Sequence, residues 1–241
     1  MSERTTLAGK KVLVIGGTKY LGLRIAAELD GIGAHVVISG RDGDRAHAAA
    51  AALSNARGLR LDVTDEGDII SAAQELDTVD HVVVTAAAPH NVPVGELDRA
   101  AVTRAFDAKV IGPLLVAKHF APRITPGGSL LLFSGVAAWT PSPGYAVMGV
   151  TNGAVGFTVS HLARELAPVR VNAIAPGIVD SGKYDAMAAG DRKAFFDASA
   201  AKTLAGRVGS ADDVVDAVLW LLAAGFVSGE TIHVDGGARH V

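Results

Sequence analysis

The sequence predicts an α/β fold in which a parallel sheet of seven strands carries helices on both faces. Short segments rich in Val, Ile or Leu alternate along the 241 residues with amphipathic or Ala-rich segments. Parallel neighbours need a crossover connection, which is usually a helix and is right-handed. No shift in composition marks a linker, so we expect one doubly wound domain over residues 1–241.

The individual elements follow from apolar runs and helical periodicity. The strands are predicted at 12–15, 36–39, 59–61, 81–85, 129–134, 170–174 and 231–234. A first helix begins near Leu21, and the others are predicted at 44–53, 65–76, 99–121, 145–166, 185–204 and 211–224. The Ala run at 48–52 has high helix propensity and indicates a surface helix.

Composition excludes several classes of function. Hydrophobic residues make up 49% of the chain and charged residues 20%, which suits a packed core rather than disorder. A net charge of −3 without a basic run argues against nucleic acid as a partner. The chain has no Cys and its histidines lack metal-ligand spacing, so we expect no metal site. No apolar run reaches membrane-spanning length without an interruption, and we expect a cytoplasmic protein that does not bind membranes.

A glycine-rich turn near the N-terminus indicates how a phosphate group can be held. The apolar run 12–15 precedes Gly16 and Gly17, and helical spacing begins at Leu21. In such a turn the backbone can approach a pyrophosphate, and the helix N-terminus offers free N–H groups. The same order of residues also occurs as a plain connection between a strand and a helix, so the turn alone does not decide between the two.

Taken together, six motifs resemble those of the short-chain dehydrogenase/reductase family. They are IGGTKYLG at 15–22, LDVTD at 61–65, GSLLLFSG at 128–135, RVNAIAPGIVDS at 170–181, GRVG at 206–209 and SGETIHVDGG at 228–237. The resemblance covers almost the whole chain. It implies a Rossmann-like fold, a nicotinamide cofactor, a small-molecule substrate held by helices at about 180–205, and a homo-oligomer, either a tetramer or a dimer.

The resemblance also implies which residues bind the cofactor. The glycine-rich turn would hold the pyrophosphate, Asp62 with Val63 the adenine, and the turn after the sixth strand the nicotinamide. Ser181 stands where the family usually has a threonine that reaches the carboxamide. The full expected set is Gly16, Thr18, Lys19, Tyr20, Leu21, Gly22, Arg41, Asp62, Val63, Ala86, Ala87, Pro176, Gly177, Val179 and Ser181.

The end of the second strand bears on the choice of cofactor. Enzymes that prefer NAD usually place an acid there to bind the ribose 2′-hydroxyl. Here the strand is followed by Arg41, whose planar guanidinium suits a 2′-phosphate, and Lys19 lies inside the glycine-rich turn. We therefore expect NADP(H), although both residues can also be read as solvated surface charges.

Several positions depart from the family pattern. Tyr20 replaces the middle glycine of the turn, and residues 85–88 read Thr-Ala-Ala-Ala where the family has Asn-Asn-Ala-Gly. An asparagine of the active site is replaced by Lys109. In the family, a tyrosine donates a proton and a lysine four residues later lowers its pKa. In the ungapped register these positions hold Val147 and Thr151.

Three residues are candidates for the missing chemistry. Ser134 lies thirteen residues before Val147, where the family has its substrate-orienting serine. Tyr145 is two residues, or about 200° of helix, away from the expected position, so it reaches the pocket only if the helix starts irregularly. Otherwise it is a rim or packing residue. Lys109 either supplies a positive charge to the site or points to solvent. His90 is a further loop residue that can titrate near neutral pH, or is plain polar surface.

We therefore expect an NADP(H)-dependent oxidoreductase with an atypical active site, transferring hydride to or from a small carbonyl or alcohol substrate. Ser134, Lys109 and Tyr145 are its predicted catalytic residues. The alternatives are a protein that binds NADP(H) without turnover and a non-redox isomerase or cyclase on the same scaffold.

Overall fold

The computed structural model describes residues 7–241, in which a main sheet of seven strands is layered between helices. Its strands are β1 (Lys11–Ile15), β2 (His35–Gly40), β3 (Ala56–Arg60), β4 (Val79–Val84), β5 (Ile124–Phe133), β6 (Arg170–Pro176), the short β7 (Val179–Asp180) and β8 (Gly209–Ser210), and β9 (Thr231–Val234). The main sheet runs β3-β2-β1-β4-β5-β6-β9 with every neighbouring pair parallel. The predicted α/β class and seven-stranded parallel sheet are confirmed.

Helices cover both faces of this sheet. They are α1 (Tyr20–Gly31), α2 (Gly43–Ala51), α3 (Glu66–Leu76), α4 (Arg99–Phe106), α5 (Gly112–Phe120), α6 (Ala146–Glu165), α7 (Ala189–Ala200) and α8 (Ala211–Ala223). None of the helices in residues 7–241 is long and apolar enough to span a membrane.

The core has two halves because alternate residues of each strand face opposite sides of the sheet. In β1, Leu13 and Ile15 pack with α3, α5 and α6, whereas Val12 and Val14 pack with α1, α2 and α8. All four side chains are buried. Because both faces of β1 are buried, its residues form an uninterrupted apolar run, and this run predicted the strand.

The predicted helix over 99–121 is interrupted. A π-helical turn at Asp107–Ile111 separates α4 from α5, and the Gly112 N–H donates to the Asp107 carbonyl, five residues back. Pro113 has no N–H to continue the regular pattern, which accounts for the interruption at this point. The turn places Lys109 at a bend rather than on a regular helix face.

Two further regions differ from the prediction. The segment predicted as helix 185–204 contains only α7, which is twelve residues long. The pair β7 and β8 forms a separate two-stranded sheet that the sequence did not indicate, because two-residue strands carry no readable periodicity. Both differences lie beside the carboxyl edge of the main sheet.

Candidate functional site

A cavity of about 920 Å³ lies at the carboxyl edge of the sheet. It is bordered by residues that follow β4, β5 and β6, and by Leu21 of α1. The order of strands reverses at β1 and β4, since β2 and β3 extend one way and β5 and β6 the other. In open α/β sheets this switch point is where ligands bind.

The glycine-rich turn at this edge has no room for side chains at two positions. A β-carbon on Gly16, whose φ is +85°, would lie 2.7 Å from Thr85 Oγ1 and 2.9 Å from the Ala86 nitrogen. One on Gly22 would overlap the Gly16 carbonyl oxygen. The turn and the start of α1 are therefore packed backbone against backbone.

The start of α1 is open to an anion. Lys19 precedes the helix with an extended backbone, and its side chain does not cap the free N–H groups. The first N–H groups of a helix need a partner, and they carry the positive end of its dipole. This end of α1 can therefore hold a phosphate.

Tyr20 takes the backbone conformation that glycine usually provides. Its φ is +52°, and it is one of two described residues other than glycine with a positive φ. The ring is partly exposed, packs beside Gly182, and has the Lys19 ammonium 4.9 Å from its centroid. The turn thus keeps its path without the middle glycine, at a backbone cost of about 1–2 kcal/mol.

The end of β2 carries an unpaired cation. Arg41 is exposed and forms no ion pair within residues 7–241. The neighbouring carboxylate is already occupied, since Asp42 Oδ1 accepts from the Arg45 N–H at 3.1 Å and Oδ2 pairs with Arg45 Nε at 3.1 Å. Thr18 packs against Gly40 beside this edge. A ligand group beside Arg41 therefore meets a positive charge, while the neighbouring carboxylate of Asp42 is engaged with Arg45.

Asp62 and Val63, the residues expected at the adenine, do not border the cavity itself. Asp62 Oδ1 accepts from the N–H and the hydroxyl of Thr64, at 3.0 and 2.8 Å, while Val63 is buried beside it. Gly177 lies so close to Asp235 that a β-carbon would approach the Asp235 Cα to 2.9 Å. Of the residues expected at the cofactor, those that border the cavity are Leu21, Ala87, Pro176, Gly177, Val179 and Ser181.

This half of the site fits a nicotinamide dinucleotide. The turn offers backbone and an uncapped helix to a pyrophosphate, and the crowding at Gly16 and Gly22 keeps side chains out of that space. The residues around Gly177 continue the surface to the opposite end of the cavity.

At the other end of the cavity, Lys109 points inward. Its Nζ lies 3.5 Å from the Ser134 carbonyl oxygen, a long contact that leaves most of its donor capacity unused. The pKa of Lys109 is lowered to about 8, mainly by burial and in addition by the nearby charge of Lys183. The alternative in which Lys109 points to solvent does not hold in this structure.

Ser134 is at the cavity but its hydroxyl is engaged. Ser134 Oγ donates to the Asn152 carbonyl oxygen at 2.8 Å, and the residue is 6% exposed. Its N–H donates to the Ile174 carbonyl oxygen at 2.7 Å. The serine is held rigidly, with lone pairs of Oγ left to accept a hydrogen bond.

The positions of the family's tyrosine and lysine carry no acid or base. Val147 and Thr151 are both buried in α6. Thr151 Oγ1 donates back to the helix, to the carbonyl oxygens of Val147 at 2.9 Å and Met148 at 3.2 Å. These two positions therefore lack the proton donor and the cation that the family has there.

Tyr145 lines the cavity because α6 starts irregularly. It occupies the position just before the helix, with φ −107° and ψ 14°, and is half-buried. Its backbone carbonyl accepts the Gly149 N–H at 2.7 Å, which begins the helix. The structure thus places Tyr145 on the cavity wall, as the irregular start would require.

Sequence reasoning missed a second tyrosine. Tyr184 lies between β7 and α7, lines the cavity, and packs on Phe195 and Phe196 with ring centroids 4.9 and 5.6 Å away. Burial raises its pKa, and the neighbouring Tyr145 adds to the rise. The available signal was three aromatic residues close together in a chain with 5% aromatics.

His90 lines the mouth of the cavity on the loop after β4. Its Nε2 accepts the Asp98 N–H at 3.3 Å, so this nitrogen is occupied by the loop itself. Within the described residues, no group of three or more His, Asp or Glu side chains could hold a metal ion.

Comparison with known proteins finds relatives that match almost the whole chain. Residues 17–239 match the family model described as enoyl-(acyl carrier protein) reductase. The chain is 31% identical over 254 residues to dehydrogenase/reductase SDR family member 4 of Homo sapiens, covering 98% of this chain and 90% of that protein. It is 30% identical over 247 residues to the 3-oxoacyl-(acyl-carrier-protein) reductase FabG of Aquifex aeolicus, covering 96% and 98%.

Solved structures show the same likeness. A small-chain dehydrogenase in complex with NADPH superimposes with a TM-score of 0.82 at 30% identity, over 96% of this chain and 99% of that one. The MalC reductase/Diels-Alderase from Malbranchea aurantiaca superimposes with a TM-score of 0.91 at 26% identity, over the full length of both chains. The sheet order, the glycine-rich turn and the extent of these matches show that the chain belongs to the short-chain dehydrogenase/reductase family.

Proposed function

We propose that this protein is an NADP(H)-dependent oxidoreductase acting on a small organic carbonyl or alcohol, with Lys109 as its proton donor. The observation that carries the proposal is the position of Lys109: its ammonium enters the cavity where Val147 and Thr151 leave no acid or base. In the family a tyrosine donates this proton, assisted by a lysine four residues later. Those two positions lie in α6, whereas Lys109 lies in the π-helical turn before α5.

The preference for NADP(H) rests on charge. Arg41 and Lys19 lie where the 2′-phosphate of the cofactor would sit, and the carboxylate of Asp42 is engaged with Arg45. A guanidinium pairs with phosphate through two parallel hydrogen bonds. The related small-chain dehydrogenase that was solved with NADPH supports the same choice.

Lys109 is suited to donate a proton. The nicotinamide, when bound, supplies the hydride for the carbonyl carbon. Lys109 Nζ gives a proton to the carbonyl oxygen, becomes a neutral amine, and is reprotonated from solvent through the open mouth of the cavity. With a pKa of about 8, it is mostly protonated at neutral pH and is a stronger acid than an ordinary lysine.

Two other groups shape the reaction. Tyr145 faces the same cavity and is a second hydrogen-bond donor to the substrate oxygen. Ser134 Oγ, held by the Asn152 carbonyl, accepts a hydrogen bond from a substrate hydroxyl and orients it. Both act as positioning residues, because their replacement leaves the Lys109 ammonium in place.

Turnover of the purified protein tests this proposal. NADPH oxidation is followed with a panel of aldehydes and ketones, and the alcohol product is quantified against the cofactor consumed. We expect one alcohol formed per NADPH oxidised. Lys109→Met should lower kcat by about 10²–10⁴-fold, the range of general-acid catalysis, with an unchanged Kd for NADPH. Full activity in Lys109→Met would overturn the assignment.

A non-redox reaction is the second candidate. The observation in its favour is that the positions of the family's catalytic pair are inert here, while a related structure is described as both a reductase and a Diels-Alderase. A cyclase or isomerase on this scaffold would form product without consuming NADPH. Tight NADPH binding with neither outcome would indicate a binding protein without turnover.

We further propose that the chain assembles into a homo-oligomer, a dimer or tetramer. Apolar side chains are exposed along α5, α6 and the π-helical turn, namely Ile111, Leu114, Val150 and Phe157, the last with 76% of its surface accessible. Such exposure is typical of surfaces that pack against another chain. Sedimentation at micromolar concentration should give a multiple of 24.6 kDa, and a monomer mass would contradict the proposal.

A further inference from the structure

The substrate end of the cavity is lined by cations without acids. Lys109, Lys183 and Lys202 border it, and none of its lining residues in the described chain is Asp or Glu. Arg239 also lines the cavity, but it pairs with Asp235 at 3.6 Å. The three lysines therefore give the cavity wall an excess of cationic over acidic side chains.

None of these lysines has a carboxylate partner within residues 7–241. Lys109 has its one long contact with the Ser134 carbonyl oxygen, and the Lys183 ammonium lies 5.6 Å from the centroid of the Tyr184 ring. Lysines outside the cavity, in contrast, do form ion pairs. Lys118 pairs with Glu66 at 2.7 Å, and Lys193 pairs with Asp197 at 2.6 Å.

Two of these cations interact unfavourably. The charge of Lys183 lowers the pKa of Lys109, which means that the two ammonium groups repel each other across the cavity. Burial adds a desolvation cost at Lys109, because no opposite charge compensates it. An anion bound between them would remove both costs.

We propose that the substrate is an oxo acid, whose carbonyl oxygen meets Lys109 while its carboxylate pairs with Lys183. The inference rests on the proposed function and narrows its substrate class. Because Lys109 and Lys183 line the same cavity, one small molecule can present its carbonyl to the first and its carboxylate to the second. Lys202 adds attraction for the anion without a contact of its own.

The 2′-phosphate of the cofactor does not account for the charge of Lys109. Arg41 and Lys19 lie beside β2 and the glycine-rich turn, where Tyr20 packs beside Gly182, the neighbour of Lys183. Lys109 instead lies at Ser134, which is the end of the cavity where the chemistry takes place. Binding of the acid is therefore expected to persist when the cofactor is already in place.

Calorimetry on the NADP⁺-loaded protein tests the inference without turnover. The probes are 2-oxobutanoate, 4-oxopentanoate and 5-oxohexanoate, each compared with its methyl ester. At least one acid should bind about tenfold more tightly than its ester, as expected of a charge-assisted contact. Lys183→Ala should bring the two affinities to within about twofold, and Lys183→Glu should reverse the preference.

Lys193→Ala is the matched control, because it also removes one positive charge. Lys193 lies in α7, pairs with Asp197 and does not line the cavity. It should leave the preference intact. Equal affinity for acids and esters in the unmodified protein would overturn the inference, and so would a preference that survives Lys183→Glu. If the acids bind preferentially but NADPH is not oxidised, the proposed reaction is wrong and the anion site stands.

Discussion

The cofactor end and the substrate end of the site lie at one sheet edge but differ in how they depart from the family pattern. At the cofactor end, Tyr20 replaces a glycine, yet it adopts the positive φ that glycine would provide and the turn keeps its path. At the substrate end, Val147 and Thr151 replace titratable groups, and Lys109 enters the cavity from a neighbouring helix.

This difference reflects what each end uses for binding. A pyrophosphate is held by backbone N–H groups, so a changed side chain is tolerated wherever the backbone can still reach its position. Proton transfer depends on one particular side chain, and its loss is compensated only by another side chain that reaches the same space. On this account the backbone of the turn is retained at the cofactor end. At the substrate end a different side chain takes the place of the missing pair.

Blocking the backbone approach should produce the largest effect. In Gly22→Ala the new β-carbon overlaps the Gly16 carbonyl oxygen, which forces the turn and α1 apart. We expect the Kd for NADPH, measured by fluorescence titration, to rise by about a hundredfold or more, equal to about 2.7 kcal/mol. Gly31→Ala is the control, since a β-carbon there meets open space at the end of the same helix. Equal affinity in the two variants would show that the turn does not hold the cofactor.

Removing the cation after β2 should have an intermediate effect. Arg41→Ala should weaken NADPH binding by about 1.5–3 kcal/mol, the range of charge-assisted hydrogen bonds, and leave NADH binding almost unchanged. Parallel titrations with both cofactors measure the change. Arg45→Ala is a matched control because its guanidinium already pairs with Asp42. A similar NADPH affinity in Arg41→Ala and the unmodified protein would argue against a 2′-phosphate site.

The charge of Lys109 should destabilise the folded protein. Its pKa falls from 10.5 to about 8 on folding, so below pH 8 the folded state carries a charge that water would solvate better. We expect Lys109→Met to raise the free energy of unfolding at pH 7 by about 1–3 kcal/mol. The gain should shrink as the pH rises from 8 towards 10.5, because the unfolded chain then binds more protons than the folded one. Urea unfolding at several pH values measures it, and a loss of stability at pH 7 would contradict the prediction.

The smallest effect is expected at Tyr20. Tyr20→Gly removes the strain of a positive φ at the start of α1 and should raise the free energy of unfolding by about 0.5–1 kcal/mol. NADPH affinity should change less than twofold, since the turn keeps its path. A large loss of affinity would mean that the Tyr20 ring, rather than the backbone alone, contacts the cofactor.

The sequence predicted most of the fold because its signals are local. Strand β1 is buried on both faces and its sequence is an apolar run, and α8 has regular periodicity with a capping box at Ser210. The glycine positions were readable because their spacing reflects close backbone contacts. The break between α4 and α5 was less evident, although Pro113 provided a signal for it.

The substrate end was harder to predict because its residues meet through tertiary packing. A π-helical turn determines whether Lys109 faces solvent or the cavity. The backbone dihedral angles of Tyr145, just before α6, determine whether its side chain faces the cavity. Tyr184 and Lys183 come from a loop between β7 and α7, where no periodicity constrains a side chain. Sequence spacing alone carries no information on these directions.

The pH dependence of NADPH oxidation tests the central claim, that Lys109 has taken over proton donation, most directly. In the unmodified protein with saturating NADPH, kcat/KM for a carbonyl that is turned over should fall as the pH rises through about 8, where Lys109 loses its proton before the substrate binds. In Lys109→Met this limb should disappear and a low, pH-independent rate should remain, with the Kd for NADPH unchanged. The same falling limb in Lys109→Met, at an undiminished rate, would contradict the claim.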